Sequence, residues 1–197
     1  MKSVLRFLMV CPFVACVLGA ALAQEGHVER WSAPSGKFSL DLASHGWMAA
    51  EGGNGPDLFG YDYAMFLPSN FGAEDMQRLV VCGVRQNVFP IRPGATQQFA
   101  NDRLGALLPS GRAQEDTSAV GTGVINLRSY MHDGVRVFGW TAVNASVREH
   151  ARAFVLVEPW GATYTVVSCL GGRVAPSEDI SQFEAILNSL SFRIGEP

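Results

Sequence analysis

The sequence lacks the short motifs that mark the common enzyme and nucleotide-binding classes. Its 197 residues contain no G-x-S-x-G, H-E-x-x-H, G-x-G-x-x-G or C-x-x-C pattern. A P-loop is also missing, because neither Lys2 nor Lys37 ends a glycine-rich run. These absences exclude the motif-marked classes, but they leave room for a catalytic site that assembles from distant loops. We therefore predict a protein that is not an enzyme and that holds no cofactor.

Positive charge is scarce and scattered along the chain. There are 15 Lys and Arg residues against 18 Asp and Glu residues, a formal net charge of −3, and the basic residues form no run. A protein that binds a phosphate backbone needs a dense cationic face. We therefore expect neither nucleic acid nor an anionic membrane surface as a partner.

Apolar runs are short everywhere except near the N-terminal end. There, two basic residues precede the apolar run 7–22, which leads into the small-x-small triplet Ala21-Leu22-Ala23. This arrangement is typical of a secretory signal peptide, so we predict that residues 1–23 are removed by cleavage after Ala23. The run is shorter than the roughly 20 apolar residues that a spanning helix needs. We expect the mature protein to be periplasmic or secreted, without stable membrane insertion.

Two other interpretations of this N-terminal segment are open. One is an uncleaved anchor helix, although Pro12 and Gly19 interrupt the apolar run. The other is a lipoprotein signal with Cys16 as the lipidated residue, although the run continues past Cys16, where a mature lipoprotein normally turns polar. With cleavage after Ala23, residues 24–197 have a length that suits one domain.

Cysteine is also scarce. Beyond the predicted signal peptide only Cys82 and Cys169 remain, and both fall in predicted strands. An oxidising envelope permits a disulfide between them if their Cα atoms lie within about 7 Å. Two buried thiols are an alternative, because free cysteine is a common small hydrophobic residue of protein cores. A reactive thiol is the third outcome, although neither cysteine has a histidine near it in the sequence to favour the thiolate.

The chain does contain many short segments in which apolar and polar residues alternate. Such alternation predicts half-buried strands. Turn-forming triplets at 34–36, 132–134 and 159–161 each predict a hairpin, and the Asp133-Gly134 pair is the strongest of these signals. The run 78–85 is apolar on both faces, which predicts a central strand. The predicted strands are 28–32, 38–42, 61–67, 78–85, 123–131, 135–147, 152–158, 163–170 and 191–194.

Two segments carry apolar residues at helical spacing instead. The first predicted helix has Thr96 as its N-cap and ends at Leu108, before the Pro-Ser-Gly sequence at 109–111. The second begins at Ser177, with two acidic residues in its first turn. Because a meander of strands separates the helices, the order of elements predicts an α+β fold: one domain with a mostly antiparallel sheet flanked by helices.

Aromatic residues gather in and around the glycine-rich segment 44–61. There they either line a binding groove or fold back as a lid over the end of the sheet, and we favour the lid. Trp160 differs from them, because a turn tip offers a large side chain little core to enter. The residues predicted to contact a partner or ligand are His45, Trp47, Phe59, Tyr61 and Trp160.

No two of the four histidines are placed at metal-ligand spacing, so we predict no metal site. His45, at the mouth of the glycine-rich segment, is the best titratable candidate for a pocket. His132 lies in a predicted tight turn, where we expect it to serve the geometry of the backbone. A hydrolase would need His45 or His150 beside a serine hydroxyl and a carboxylate.

Three segments resemble those of PsbP-like proteins. GKFSLDLASHGW at 36–47 resembles the opening strand of that family and the Gly-Trp that follows, with Ala43 where the family usually has proline. ARAFVLVEPWGATYTVVSCL at 151–170 resembles the late hairpin, and DISQFEAILNSLSF at 179–192 resembles the last helix and its Ser-Phe strand. The resemblance covers most of 28–194. It implies an α-β-α sandwich and a mostly non-enzymatic family whose members dock to other proteins, as photosystem extrinsic subunits or as a partner of a small GTPase.

These observations together predict an exported accessory protein that docks to another protein of the bacterial envelope. Its contact surface would be the segment 44–61 together with Trp160. The alternative is a small-molecule or lipid carrier, with 44–61 as a lid and His45 as a polar contact. A pocket of about 300 Å³ or more beneath that segment would favour the carrier.

Overall fold

The part of the chain that the structure describes consists mainly of strands, with two helices packed on them. This structure, a computed structural model, describes residues 30–50, 64–73, 78, 80–107, 124–143, 146–172 and 177–195. The strands are β1 (Trp31–Ser32), β2 (Phe38–Leu40), β3 (Trp47–Ala49), β4 (Ala64–Pro68), β5 (Val81–Val88), β6 (Val124–His132), β7 (Val135–Val143), β8 (Val147–Glu158), β9 (Gly161–Gly172) and β10 (Ser191–Phe192). The helices are α1 (Gln97–Leu107) and α2 (Ser177–Asn188), and Ala43–His45 forms a single 3₁₀ turn. The predicted signal peptide, 1–23, lies outside the described residues.

The strands form two antiparallel sheets. The larger sheet has the order β3-β4-β5-β9-β8-β7-β6, and the smaller has the order β1-β2-β10. Every neighbouring pair in both sheets runs antiparallel. The predicted α+β fold, with a mostly antiparallel sheet flanked by helices, is confirmed.

The turn between β6 and β7 has the geometry that its sequence predicts. Asp133 and Gly134 have φ angles of 47° and 78°, both in the left-handed region. Two consecutive residues in that region make the two-residue turn whose twist matches a hairpin. Gly134 adopts this conformation without a steric penalty, and aspartate tolerates it better than most residues. The other two predicted hairpins also form, between β1 and β2 and between β8 and β9.

The start of β8 differs from the prediction. The expectation of one strand over 135–147 is wrong, because β7 ends at Val143 and β8 begins at Val147. Among the first four residues of β8 are Glu149 and His150, and both are buried. Alternation of apolar and polar residues does not reveal such a strand, since its inward positions carry charged or polar side chains.

The larger sheet is covered on both faces. One face packs against α2 and the smaller sheet, and this side holds the main hydrophobic core. The other face packs against α1 through a second cluster of buried residues. The main core joins three layers through Phe38 and Leu40 of the smaller sheet, Phe154 and Val167 of the larger sheet, and Phe183 and Leu187 of α2. With α2 and the smaller sheet on one face of the larger sheet and α1 on the other, the fold is an α-β-α sandwich.

α1 satisfies backbone groups of β8 with a polar side chain. The pairing of β7 with β8 stops partway along β8, so the backbone groups beyond that point need other partners. The Gln97 amide donates to the carbonyl of Val155 at 2.7 Å and accepts from the N–H of Val157 at 3.1 Å. One glutamine of α1 therefore replaces a missing pair of ladder hydrogen bonds.

A second amide of α1 makes the same kind of contact with the β6–β7 hairpin. Asn101 donates to the carbonyl of Gly134 at 2.8 Å and accepts from the N–H of Arg136 at 2.9 Å. The helix is capped as predicted, because the Thr96 hydroxyl accepts the N–H of Phe99 at 3.2 Å. α1 is thus held on the sheet by specific hydrogen bonds as well as by apolar packing.

A disulfide joins Cys82 of β5 to Cys169 of β9. The two residues are directly opposite in the pairing, their Cα atoms are 3.9 Å apart, and both side chains are fully buried. The sequence left a disulfide, two buried thiols and a reactive thiol open, and the structure contains the first of these. Cys82 faces the main core while its neighbour Val81 faces the other side, so β5 is buried on both faces as predicted.

Replacing both cysteines, Cys82→Ala with Cys169→Ala, is expected to lower the free energy of unfolding by about 4 kcal/mol. The bridge spans a sequence separation of 87 residues, and a crosslink of that length removes much of the chain entropy of the unfolded state. Urea denaturation of both proteins at neutral pH without reductant measures the difference. A double variant as stable as the wild type contradicts a structural role for the bridge.

Candidate functional site

A groove runs between the edge strand β6 and the C-terminal end of α2. Its volume is 280 Å³. Alternate residues of a strand point to the same face, so β6 supplies every second side chain to one wall. The end of α2 and the residues after it supply the other wall. The groove is lined by Arg128, Tyr130, His132, Leu187, Asn188 and Leu190.

The carboxylate of Glu184 forms hydrogen bonds with three basic side chains beside this groove. Oε2 of Glu184 accepts a hydrogen bond from Arg152 at 2.6 Å and another from Arg128 at 3.2 Å. Its Oε1 lies 2.7 Å from Nδ1 of His150. Arg152 is 1% exposed and also donates to Asn188 of the groove wall at 3.0 Å. A single glutamate of α2 is therefore bound to side chains from both β6 and β8.

Gly139 of β7 makes room for the two arginines. It lies between them in the sheet, paired with Arg128 on one side and with Arg152 on the other. A Cβ atom at Gly139 would lie 3.1 Å from Nη1 of Arg152 and 3.2 Å from Nε of Arg128. A side chain at this position would be in tight contact with both guanidinium groups, which would have to shift by a few tenths of an ångström.

Sequence patterns alone did not predict a role for Arg128, Gly139, Arg152 or Glu184. A weak signal was present, because His150 and Arg152 occupy alternate positions that continue into the apolar, inward-facing positions of the same strand. Alternation then predicts that both side chains are buried. A buried arginine needs a carboxylate partner, but nothing in the sequence says which one.

The local charges keep Glu184 ionised. The hydrogen bond from His150 and the charge of Arg152 lower the pKa of Glu184 from 4.5 to about 2, although burial acts in the opposite direction. An ionised carboxylate only accepts hydrogen bonds, so the hydrogen of this bond is on Nδ1 of His150, which is the donor to Glu184. Its other nitrogen, Nε2, is buried and has no hydrogen-bond partner in the described part of the chain.

This geometry does not assemble the hydrolase arrangement in the residues that the structure describes. His150 has the carboxylate of Glu184 on one nitrogen, but no serine hydroxyl bonds the other. His45 lies half-buried on the 3₁₀ turn, and its only hydrogen bond among these residues is made by its backbone N–H to Leu42. A nucleophile bonded to its base, which such a mechanism requires, is not formed by these histidines.

The β6–β7 turn ties the C-terminal segment to the groove. His132 donates from Nε2 to the carbonyl of Leu190 at 2.8 Å. The carboxylate of Asp133 accepts the N–H of Phe192 at 3.2 Å. His132 does serve the geometry of the backbone, but in the chain beyond α2 instead of in its own turn. These two hydrogen bonds fix the position of His132 and Leu190, which line the groove.

The structure does not bring the predicted contact residues together. Trp47 and Trp160 lie at opposite ends of the larger sheet, because Trp47 pairs with Pro68 near the start of β5 and Trp160 follows the end of β8. Trp160 is 61% exposed at the tip of its hairpin. Phe59 and Tyr61 lie outside the described residues.

The prediction that Trp47 contacts a partner or ligand is wrong, because its side chain is not at the surface. It is the first residue of β3, a strand inside the segment predicted to be irregular, and it is only 2% exposed. Its Nε1 donates to the side chain of Gln182 at 3.0 Å, and its ring packs edge-on against Phe183, with centroids 6.0 Å apart. Trp47 therefore joins β3 to α2 in the core and offers no surface to a partner.

The carrier hypothesis needs a pocket beneath the segment 44–61, and none of the described residues of that segment, 44–50, lines the groove. Its lining belongs to β6, to the end of α2 and to Leu190. The described part of the segment, residues 44–50, contributes Trp47 to the core. Residues 51–61 lie outside the described residues, so the predicted lid stays a prediction.

The described ranges contain neither a cluster of metal ligands nor a membrane-spanning helix. Within them, no group of three or more His, Cys, Asp or Glu side chains is placed to hold a metal ion. Neither helix of the same part of the chain has the length and apolar character to cross a membrane. The longer helix, α2, has 12 residues.

Comparison with known proteins finds solved structures of similar fold, and one of them is a PsbP protein. No family model matches the chain, and no curated protein matches it. The chain is similar to the solution structure of cyanobacterial PsbP (CyanoP) from Synechocystis sp. PCC 6803, with 17% sequence identity and a TM-score of 0.45. The similarity covers 87% of this chain and 99% of that chain. A PsbP protein is thus a neighbour of this structure, and membership of its family stays a prediction.

Replacing Glu184 by glutamine is expected to lower the free energy of unfolding by on the order of 2 kcal/mol at pH 7, because Arg152 stays buried without a counter-charge. The pKa of Glu184 is lower in the folded protein than in the unfolded chain. Its contribution is therefore complete above pH 4.5 and is lost as the pH falls toward 2. Urea denaturation of both proteins at several pH values should show the difference between them shrinking over that range. A difference that is constant with pH contradicts the assignment.

The two tryptophans should respond differently to replacement by alanine. Trp47→Ala removes a core side chain and is expected to cost about 3–5 kcal/mol of unfolding free energy. Trp160→Ala removes an exposed side chain and is expected to change it by less than about 0.5 kcal/mol. Denaturation of both variants by urea measures the two effects. Equal losses of stability would contradict the placement of these residues.

Proposed function

We propose that this protein is an exported, non-enzymatic accessory protein that docks to another protein of the bacterial envelope. The observation that carries the proposal is an exposed apolar end of the larger sheet. Trp160 at the β8–β9 turn is 61% exposed, and Val88 at the end of β5 is 77% exposed. Tryptophan is among the residues that dominate binding energy at protein interfaces.

The two side chains are close enough to belong to one surface. Val88 pairs with Thr163 of β9, which follows Gly161 by two residues. With the spacing of residues and strands in a sheet, Val88 is on the order of 10 Å from the turn that carries Trp160. We name the pair formed by Val88 and Trp160 the apolar tip.

The apolar tip is held on a rigid support. Next to the turn, the Lys37 ammonium forms an ion pair with Glu158 at 3.1 Å and donates to the carbonyl of Val157. On the other side, the N–H of Phe89 donates to the carbonyl of Ala162 at 2.9 Å. An anchor that is already ordered loses little conformational entropy on binding, which favours its use in recognition.

Two further observations support the cellular context of the proposal. The N-terminal pattern that ends at Ala23 is typical of a signal peptide. The buried Cys82–Cys169 disulfide suits an oxidising compartment such as the periplasm. A non-enzymatic role is supported by His150 and Glu184, since this acid–base pair joins α2 to β8 and has no nucleophile beside it in the described chain.

Loss of the apolar tip is expected to abolish capture of the partner in intact cells. An affinity-tagged copy is cross-linked and the captured proteins are identified by mass spectrometry, for the wild type and for Trp160→Ala. A partner that Trp160 anchors should be lost or reduced about tenfold in the variant, as for a typical interface hot spot.

Phe99→Ala is the matched control for this experiment. Phe99 is an exposed aromatic residue, 45% exposed, but it lies on α1 and not at the apolar tip. Its variant should capture the partner as the wild type does. Equal capture by the wild type and Trp160→Ala would contradict the assignment of the surface. An empty capture from exported, folded wild-type protein would contradict docking itself.

A further inference from the structure

Among the strands that the structure describes, β6 forms an open edge of the larger sheet. β6 is the last strand in the order of that sheet, and no other described strand pairs with its outer side. In a hairpin with a two-residue turn, the residues next to the turn form a hydrogen-bonded pair, and such pairs then alternate along the strands. His132, Tyr130 and Arg128 therefore direct their backbone groups toward β7. Ser129 and Met131 direct theirs outward, and both residues are exposed.

A bulge limits the length of this open edge. The register with β7 shifts between Ile125 and Arg128, and Asn126 has a φ of 54°. Bulges at sheet edges interrupt regular pairing and discourage uncontrolled association. Between the bulge and the turn, the five residues Arg128–His132 keep one regular register with β7. We name this stretch the open edge.

The open edge forms one border of the groove. Arg128, Tyr130 and His132 point toward α2, since Val137 and Val135, their neighbours in β7, belong to the main core on that side. A strand added along the open edge would therefore place every second side chain in line with the groove wall.

The charged groups around Glu184, beside the groove, favour the binding of an acidic segment. Two guanidinium groups, from Arg128 and Arg152, meet the single carboxylate of Glu184, so this group of side chains carries a net positive charge. Arg152 is buried, whereas Arg128 is 55% exposed and uses one terminal nitrogen on Glu184. The guanidinium carries five N–H donors, so Arg128 keeps others for a second carboxylate.

We propose that the open edge binds an extended segment of another protein whose acidic side chains face the groove. The segment pairs with the outward backbone groups of Ser129 and Met131, and one of its carboxylates bonds Arg128. This inference rests on the proposed function, docking to proteins, and assigns it a second surface apart from the apolar tip. A second copy of this chain is the poorer occupant, because antiparallel pairing of two open edges through Ser129 and Met131 sets Arg128 of one copy opposite Tyr130 or His132 of the other, and neither residue offers a carboxylate.

Binding is tested with short fluorescent peptides and the full mature protein. The acidic probe is Thr-Glu-Val-Glu-Val-Glu-Thr, acetylated and amidated, which presents its glutamates on one face of a strand. The matched control replaces each glutamate by glutamine. The wild type is expected to bind the acidic probe about tenfold more tightly than the control, as measured by fluorescence anisotropy.

Two variants separate the charge from the backbone pairing. Arg128→Gln should remove most of the preference for the acidic probe while leaving the weak binding of the control unchanged. Met131→Pro removes one outward N–H and leaves the pairing with β7 intact, so it should weaken the binding of both probes. An acidic probe with N-methylated backbone tests the same pairing on unaltered protein, and it should lose binding even if Met131→Pro fails to fold.

The results separate this inference from the proposed function. Equal affinity for the acidic and glutamine probes, no binding of either, or full binding of the N-methylated probe would each overturn the inference. A dimer seen in sedimentation that Met131→Pro abolishes would also overturn it, since a second copy would then occupy the edge. Capture that depends on Trp160 would leave the proposed function standing in every one of these cases. Preferential binding of the acidic probe by Trp160→Ala, at wild-type affinity, would support the open edge as an independent surface.

Discussion

The ion pair between Arg152 and Glu184 is the interaction on which the arrangement of the layers depends. Arg152 is 1% exposed in the middle of the sheet, and a guanidinium there is stable only with a carboxylate beside it. Glu184 supplies that carboxylate only when α2 lies across β8 in one position. The same carboxylate then receives Arg128 and fixes the proton of His150 on Nδ1. One buried charge thereby links the position of the helix, the lining of the groove and the tautomer of the histidine.

The described surface has two distinct regions, and they differ in chemistry. At one end of the larger sheet, the apolar tip offers tryptophan and valine on a rigid hairpin. At one side, the open edge offers backbone hydrogen bonds and an arginine that is only partly neutralised. An apolar anchor contributes affinity, whereas charge and backbone pairing contribute orientation and specificity. Both surfaces are of the kind that the proposed docking to another protein would use.

Most of the fold follows from local sequence signals, and most of the groove does not. The Asp133-Gly134 turn and the Thr96 cap are determined by residues within a few positions of each other, so periodicity and turn chemistry predict them. The position of Trp47 was missed because β3 is only three residues long and follows a 3₁₀ turn, so no alternating pattern reveals it. The groove was missed because its charges meet across separations of more than 30 residues, between Glu184 of α2 and Arg128 and Arg152 of two strands. The sequence did not decide between a disulfide and free thiols for the same reason. The register of β5 against β9 cannot be predicted from either strand alone.

The Cys82–Cys169 disulfide also determines how proteolytic cleavage affects this chain. Everything between the two cysteines, from β5 through α1 and the β6–β7 hairpin into β9, belongs to one covalently closed ring. A single cleavage anywhere inside that ring opens it but releases no fragment. The two pieces of the chain stay joined by the disulfide between the neighbouring strands β5 and β9. The apolar tip and the open edge both lie within the ring. In a compartment rich in proteases, a nicked molecule would therefore keep both surfaces on one covalent body.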